Sequence, residues 1–192
     1  LDHGTQLDHP DLNVSSKSYD TETGRSPSQI WGNHGTACSG IISAKTNNNL
    51  GVAGIAPNCP VMSISNQLMG TSDAPQKRAD GFNWAWRNGA SVISNSWRSS
   101  TFSELLEDAI QSAMTNGRNG LGCVVTFSAG NYDSNTVGYP ARSLPDIIVV
   151  GALSLSGKRK SSTTIDNEGW WGSDYGTQLD IMAPGVLIYT TD

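Results

Sequence analysis

Charged residues and long apolar runs are both scarce in this 192-residue sequence. The first scarcity argues against a nucleic-acid-binding protein, and the second argues against a membrane-spanning one. Lysine and arginine number 12 against 17 aspartates and glutamates, which gives a net charge of −5. The one basic run, Lys158 to Lys160, is too short for a phosphate-binding face, so we interpret it as a solvated turn and expect no nucleic-acid partner. No segment reaches the roughly 18 apolar residues of a membrane helix, so we expect no membrane partner.

Cysteine is also rare, at Cys38, Cys59 and Cys123. An odd number allows one disulfide and one free thiol, or three free thiols, and both alternatives stay open. The apolar neighbours of Cys38 and Cys123 are typical of thiols that fill a core. The cysteines therefore do not identify the redox compartment.

Glycine, in contrast, is abundant at 21 residues, which is typical of a globular chain with many tight turns. Apolar runs alternate with amphipathic segments, the pattern of an α/β protein with a parallel sheet covered on both faces. We predict a single domain, residues 1–192, without linker or internal repeat. The predicted strands are 61–65, 91–96, 123–128 and 147–152; the predicted helices are 75–88 and a second one that a capping box, 101–104, begins and Gly117 ends.

Polar residues with catalytic chemistry stand where the ligand sites of parallel sheets form, just beyond the carboxyl ends of strands. Asp2 ends a first strand, although an aspartate before His3-Gly4 also suits a turn. His34 begins a helix whose dipole would help to keep its imidazole uncharged, although a lone histidine is more often structural. Asn131 follows the 123–128 strand and could either donate to an oxyanion or form an Asx turn.

Taken in order, these residues stand in segments that resemble the motifs of the subtilases, the subtilisin-like serine peptidases. Leu1 to Gly4 resembles the aspartate motif, His34 to Gly40 the histidine motif, and Ser128 to Asn131 the oxyanion-hole motif. Four further segments are similar to the same family and extend the resemblance over nearly the whole chain: 9–12, 48–57, 138–141 and 180–185.

The resemblance implies a three-layer α/β/α fold with a mostly parallel central sheet, incomplete at both ends. It implies a serine endopeptidase in which His34 acts as general base and then general acid, Asp2 fixes its tautomer and Asn131 stabilises the oxyanion. The family's Gly-Thr-Ser-Met motif, which carries the nucleophile, does not follow the Ala-Pro-Gly segment at 183–185 within these residues. We therefore expect the serine to lie outside this chain and the 192 residues alone to be inactive.

The resemblance also implies a groove in which an extended polypeptide substrate binds as an added strand. Its two walls would be Ser96-Trp97-Arg98 and Ser128-Ala129-Gly130. Arg98 stands where the family commonly has glycine, and whether it narrows the groove, selects charge or points to solvent stays open. From the same resemblance we expect a monomer that is secreted or lies at the cell surface.

A structural Ca²⁺ site, with no organic cofactor, is a further implication. Carboxylate, amide and backbone carbonyl oxygens are the ligands that Ca²⁺ prefers. The candidates are Asp11, Asn48 and the carbonyls of Thr46, Leu50 and Val52, and the alternative is a turn rich in glycine and asparagine that holds no ion. Asp180, with carbonyls near Pro140, resembles a second and weaker cation site.

Two other functions are alternatives to the peptidase. A catalytically dead binding module on the same fold stays open. A nucleotide-binding α/β protein is disfavoured, because neither G-x-G-x-x-G after a strand nor G-x-x-x-x-G-K-[ST] occurs in the sequence.

Overall fold

The computed structural model describes residues 1–192, which form six strands and three helices. In chain order these are β1 (Val14–Asp20), α1 (His34–Ser43), β2 (Val61–Ser65), α2 (Ala74–Arg87), β3 (Val92–Asn95), α3 (Glu104–Gly120), β4 (Val124–Ser128), β5 (Ile148–Leu153) and β6 (Ile181–Pro184). The predicted strands and the 75–88 helix agree with β2, α2, β3, β4 and β5 to within one residue at each end.

All the strands are parallel, and they form the two sets β1-β2 and β3-β4-β5-β6. Leu1 and Asp2 lie between them. Asp2 pairs in parallel with Ser65 at the end of β2, and the Leu1 amino group donates to the Ser94 carbonyl of β3 at 2.8 Å. Within each sheet the carboxyl ends of the strands meet at one edge, where polar residues that follow strands collect.

Helices cover both faces of these strands. Ile64 of β2 faces α2, because a Cβ on Gly81 would come within 3.1 Å of its Cγ2. The preceding Ser63 accepts a hydrogen bond from the Thr5 N–H, and the Thr5 hydroxyl is bonded to Ser39 of α1. Since successive residues of a strand point to opposite faces, α1 and α2 lie on opposite sides. The predicted three-layer α/β/α class with parallel strands is confirmed.

One contiguous hydrophobic core holds α2 and α3 against the larger sheet. Phe82 of α2 stacks on Phe127 of β4 with ring centroids 6.3 Å apart, and Trp97 meets the same ring edge-on at 5.0 Å. The buried residues of α3 recur at helical spacing and form its inward stripe: Leu106, Ala109, Ile110 and Ala113. Burial of these side chains fixes the positions of β3 and β4, whose carboxyl ends matter for the site.

The capping box predicted for α3 is wrong in its details. Ser103, not Thr101, is the N-cap, since the Ser103 side chain accepts a hydrogen bond from the Leu106 N–H at 3.3 Å. Gly117 does end the right-handed helix, as predicted, because its ψ of 160° leaves the helical range. A Cβ at that position would come within 2.3 Å of Cys123 Sγ, so the start of β4 requires glycine there.

The interpretation of Lys158 to Lys160 as a solvated turn holds for Lys158, which is exposed, but is wrong for Lys160. Lys160 is completely buried, and its ammonium donates to the Ser161, Glu168 and Trp171 carbonyls at 2.8 to 3.0 Å and to the Thr164 hydroxyl at 3.1 Å. Its Nζ also lies 3.3 Å from the carboxylate of Asp166, which is buried. We call Lys160 and these partners the Lys160 cluster. A buried ammonium needs partners for all its protons, and this cluster supplies them.

All three cysteines are free thiols, which settles the choice that their number left open. Cys123 is buried, Cys38 is partly buried and Cys59 is exposed. None of the three helices is both long enough and apolar enough to cross a membrane.

Candidate active site

Asp2 and His34 meet at the edge where Asp2 joins the end of β2. His34 is the first residue of α1, and its Nδ1 lies 2.8 Å from Asp2 Oδ1. The same carboxylate oxygen accepts a hydrogen bond from the His3 N–H at 2.7 Å. His34 Nε2 makes no hydrogen bond within the chain, and half of the side chain is exposed to solvent. The imidazole is therefore held from one side and open on the other.

Two glycines allow α1 to come this close to the Asp2 segment. Gly35 packs against the Gly4 backbone, and a Cβ on Gly35 would come within 2.2 Å of the Gly4 carbonyl oxygen. Gly4 itself has a φ of +96° and lies against the Gln29 carbonyl, so it also admits no side chain. The sequence pattern of glycines beside Asp2 and His34 thus reflects a tight backbone approach.

The contact between Asp2 and His34 shifts the pKa values of both side chains. Burial disfavours ionised Asp2, but hydrogen bonds from His34 and His3 outweigh it and hold the pKa of Asp2 below 3.8. The hydrogen bond to Asp2, and next the Cys38 thiol, raise the pKa of His34 to about 10. The carboxylate at 2.8 Å thus acts against the dipole of α1, whose positive end favours the neutral imidazole. Because half of the ring is in water, solvent screens the pair and moderates this effect.

Cys38 connects this pair to β3. Its Sγ lies one helical turn beyond His34, 3.8 Å from His34 Nδ1 and 3.8 Å from the Ser96 hydroxyl. Ser96 directly follows β3, so the first wall of the predicted groove begins beside the imidazole.

The three residues of that wall point in different directions. Ser96 is partly buried beside Cys38. Trp97 is a core residue, 6% exposed, whose indole N–H donates to Asn95 Oδ1 at 3.1 Å, so only its backbone can face a substrate. Arg98 is exposed, and its guanidinium lies 3.9 Å from the centre of the Tyr132 ring.

The second wall and Asn131 continue from β4. Asn95 pairs with Phe127, so 96–98 and 128–130 run side by side beyond the two strands. Ala129 is buried and donates to the Val150 carbonyl at 2.9 Å. The Asn131 side chain is exposed and makes no hydrogen bond within the chain. A free carboxamide at this edge is available as a donor to an anion that forms there.

Sequence analysis missed Asp174, which shapes the loop that carries Asn131. Asp174 is fully buried; its Oδ1 accepts from the Tyr132 and Ser134 N–H groups, both at 2.9 Å, and its own N–H donates to the Gly130 carbonyl at 2.8 Å. These bonds lie on both sides of Asn131. No local signal marks this role, because the partners stand about 40 residues apart along the chain.

Of the proposed calcium ligands, Asp11 and Asn48 are in direct contact. Asp11 is 2% exposed, its Oδ1 accepts from Asn48 Nδ2 at 2.7 Å and its Oδ2 accepts from the Val52 N–H at 3.1 Å. The Asn48 hydrogen bond is the main reason that the pKa of Asp11 lies below 3.8. The donor types suit Ca²⁺, but Asn48 presents its nitrogen to Asp11 and would have to rotate its amide to offer the oxygen.

The second candidate cation ligand, Asp180, is already used by the backbone. Its Oδ2 accepts from the Val149 N–H at 2.8 Å, and its N–H donates to the Val149 carbonyl at 3.1 Å. These bonds join the start of β6 to β5.

Comparisons with known proteins identify the family. A family model described as the subtilase family matches residues 1–192. Subtilisin NAT of Bacillus subtilis subsp. natto is 34% identical over all of this chain, which covers 47% of that protein. A thermophilic serine proteinase of a Bacillus species is also 34% identical, with 44% of its length covered. The structure of a protease from Pseudoalteromonas arctica superposes with a TM-score of 0.76 at 27% identity, covering 96% of this chain and 61% of that one.

Proposed function

Because this chain belongs to the subtilase family, we propose that it carries the acid, the base and the oxyanion donor of a serine endopeptidase. The observation that carries this proposal is the 2.8 Å contact between Asp2 Oδ1 and His34 Nδ1, with His34 Nε2 left free. The chain spans about half the length of the curated relatives it matches, so the activity proposed is that of the whole protein.

In the proposed reaction, a serine hydroxyl gives its proton to His34 Nε2 while its oxygen attacks the peptide carbonyl carbon. The carbonyl oxygen becomes an oxyanion and accepts a hydrogen bond from the Asn131 carboxamide. His34 then donates its proton to the leaving amine, and water repeats both steps on the acyl-enzyme. Asp2 stays ionised throughout and stabilises the imidazolium that forms.

We place the nucleophile outside these 192 residues. The chain does contain one Gly-Thr-Ser triplet, Gly70 to Ser72, but it leads into α2 and does not follow the 183–185 segment. Ser72 is exposed and makes no hydrogen bond with His34, while the neighbouring Thr71 hydroxyl donates to Asp73 at 2.7 Å. A serine that serves His34 must reach Nε2, and none in this structure does so.

Labelling by a fluorophosphonate, which reacts with activated serines, tests this proposal. We expect no labelling of the 192-residue chain, labelling of the longer protein that extends through the family's Gly-Thr-Ser-Met motif, and loss of labelling in His34→Ala. Labelling of the short chain that Ser72→Ala abolishes would identify Ser72 as the nucleophile and overturn our placement. A longer protein that binds peptides but does not label would be the catalytically dead binding module.

We also propose that Asp11, Asn48 and the carbonyls of Thr46, Leu50 and Val52 hold a structural Ca²⁺. A bound ion would stabilise the folded state by mass action. Addition of CaCl₂ should therefore raise the Tm relative to EGTA, and Asp11→Asn should remove this difference. An equal Tm in both buffers would favour the ion-free turn.

The remaining parts of the proposal follow the family. We propose that the substrate is a polypeptide bound in extended form along 96–98, and that the whole protein is a monomer acting outside the cell or at its surface. Size-exclusion chromatography with light scattering and fractionation of the producing cells test the last two statements directly.

A further inference from the structure

A cleft of about 620 Å³ opens beside the first wall of the groove, and its charge is unusual for this molecule. Eleven residues line it; two of them are Arg98 and Arg142, and none is aspartate or glutamate. Most of the others are serines and threonines, whose hydroxyls can donate to an anion. A chain of net charge −5 has thus placed two cations and no acid around one cavity.

Neither arginine has a carboxylate partner within 4.0 Å; among the lysines and arginines of the chain, only Lys77, Arg159 and Lys160 have one. Arg159 Nη1 lies 2.6 Å from Asp133, and Lys77 Nζ lies 2.7 Å from Glu22. Arg98 and Arg142 form no such pair and are both exposed. Unneutralised guanidinium groups in a cleft create a local positive potential that attracts an anion.

Arg98 is held in place without using its hydrogen-bond donors. Its side chain passes over Gly138, where a Cβ would come within 3.2 Å of Arg98 Cβ, and its guanidinium stacks on Tyr132 at 3.9 Å. Stacking engages the flat face of the guanidinium and leaves the N–H groups at its rim free. The stack therefore positions a cation that is ready to bind a carboxylate.

The position of Tyr132 relates this cation to the reacting bond. Tyr132 follows Asn131, the proposed oxyanion donor, so the stack places Arg98 beside the loop that would hold the attacked carbonyl group. The Gly138 N–H also donates to the Ala129 carbonyl at 3.1 Å, which joins the cleft to the second wall of the groove. Because Arg98 belongs both to the first wall and to the lining of the cleft, it can meet a side chain of a substrate that binds along that wall.

We propose that the cleft between Arg98 and Arg142 binds an acidic side chain on the acyl side of the scissile bond, which makes Arg98 a specificity-determining residue. This inference rests on the proposed peptidase function for the direction of the substrate. The ligand chemistry is an anionic group, which glutamate, aspartate or a phosphorylated serine can supply.

Binding to the 192-residue chain tests the inference without any need for hydrolysis. Acetyl-Ala-Ala-Ala-Glu-amide and the matched glutamine, lysine and phosphoserine peptides would be titrated and followed by NMR of the arginine Nε–Hε groups. We expect the glutamate peptide to bind on the order of tenfold more tightly than the glutamine peptide, in a salt-dependent manner, and the lysine peptide to bind most weakly. A phosphoserine peptide that binds far more tightly than the glutamate peptide would identify phosphate as the preferred source of charge.

Variants identify the responsible side chains. Arg98→Gln should reduce the preference for glutamate to less than twofold, and Arg142→Gln should reduce it in part. Arg87→Gln is the matched control, because Arg87 is also exposed and also stacks on an aromatic ring, 5.2 Å from Trp86, but lies at the end of α2. Equal affinity for all four peptides, or a preference unchanged in Arg98→Gln, would overturn the inference.

Kinetics of the longer protein separate this inference from the proposed function. If it hydrolyses the peptide bonds after glutamate, glutamine and lysine with equal kcat/KM, the peptidase proposal stands and the acidic preference is wrong. If it fails to label with a fluorophosphonate but still prefers the glutamate peptide, the cleft binds an acidic side chain and the peptidase proposal is wrong.

Discussion

Two pairs of a carboxylate and a nitrogen base lie in different parts of this molecule, and their surroundings differ sharply. In the Lys160 cluster, the side chains of Lys160 and Asp166 are 0% and 1% exposed. In the pair at the candidate site, the side chains of His34 and Asp2 are 50% and 13% exposed. The ammonium of Lys160 donates to four hydrogen-bond acceptors. In His34, Nδ1 is hydrogen-bonded to Asp2, whereas Nε2 makes no hydrogen bond within the chain.

This difference in burial distinguishes an ion pair that stabilises the fold from an acid–base pair that can take part in catalysis. A buried ion pair in which every polar atom is satisfied resists change, because any loss leaves a charge or a carbonyl without a partner. A half-open pair can release and accept a proton at the free nitrogen while the carboxylate keeps the ring in place. Variants should therefore affect the two pairs in opposite ways.

The largest expected effect is that of Asp2→Asn on catalysis. In the longer protein we expect kcat to fall by about 10⁴, because the amide can hold His34 in the wrong tautomer and cannot stabilise the imidazolium. The free energy of unfolding should fall by less than in the buried pair, because solvent screens the half-exposed His34. Peptide hydrolysis and urea denaturation measure the two effects, and a loss below tenfold would contradict the role we give to Asp2.

Lys160→Met should show the reverse pattern, with a loss of stability of about 3 kcal/mol or more. The carbonyls of Ser161, Glu168 and Trp171 would lose their donor and Asp166 would lose its counter-ion. Lys158→Met is the matched control, because Lys158 stands two residues earlier and is exposed. The free energy of unfolding of Lys158→Met, measured by urea denaturation, should stay within about 0.5 kcal/mol of the unchanged protein. Equal losses of stability at Lys158 and Lys160 would remove the distinction between the two pairs.

The pH dependence of the open pair sharpens the comparison. The pKa of His34 in the folded protein is raised above the usual 6.5. Protonation of His34 therefore contributes its full stabilisation of the fold below pH 6.5. This stabilisation is lost as the pH rises through the pKa of the folded state. NMR of the His34 ring in the 192-residue chain should therefore show a midpoint above 6.5. In Asp2→Asn the midpoint should move back down, and an unchanged midpoint would show that Asp2 is not the cause.

The smallest expected effect is that of Cys38→Ala. The thiol is the second cause of the raised His34 pKa, at 3.8 Å from Nδ1, so its removal should lower the NMR midpoint by less than Asp2→Asn does. Folding should be maintained, because Cys38 is only partly buried. A shift larger than that of Asp2→Asn would assign the main control of the imidazole to the thiol.

Much of the fold could be predicted because its signals are local. The apolar runs of β2, β4 and β5 and the periodic apolar face of α2 show in any short window of sequence. β1 was missed because it reads Val-Ser-Ser-Lys-Ser-Tyr-Asp, with little apolar character, and depends on pairing with β2. β6 has only four residues and forms by pairing with β5.

The residues of the candidate site also include some that local sequence signals mark and some that they do not. Asp2, His34 and Asn131 stand in short recognisable motifs, and the structure places Asp2 against His34. Asp174 and Lys160 gave no such signal, because each acts through residues that approach only in three dimensions. The raised pKa of His34 gave no local signal either, because its main cause, the hydrogen bond to Asp2, comes from a segment 32 residues away along the chain.

The proposed catalytic acid lies in the seam between the two sheets. Asp2 donates its backbone N–H to Ile64 of the smaller sheet at 3.1 Å, its carbonyl accepts from the Asn66 N–H at 2.8 Å, and the adjacent Leu1 reaches Ser94 of the larger sheet. The position of the proposed acid therefore depends on the ends of two strands that belong to different sheets. A change at the end of either strand, although remote from Asp2 along the chain, should alter the position of the acid relative to its histidine.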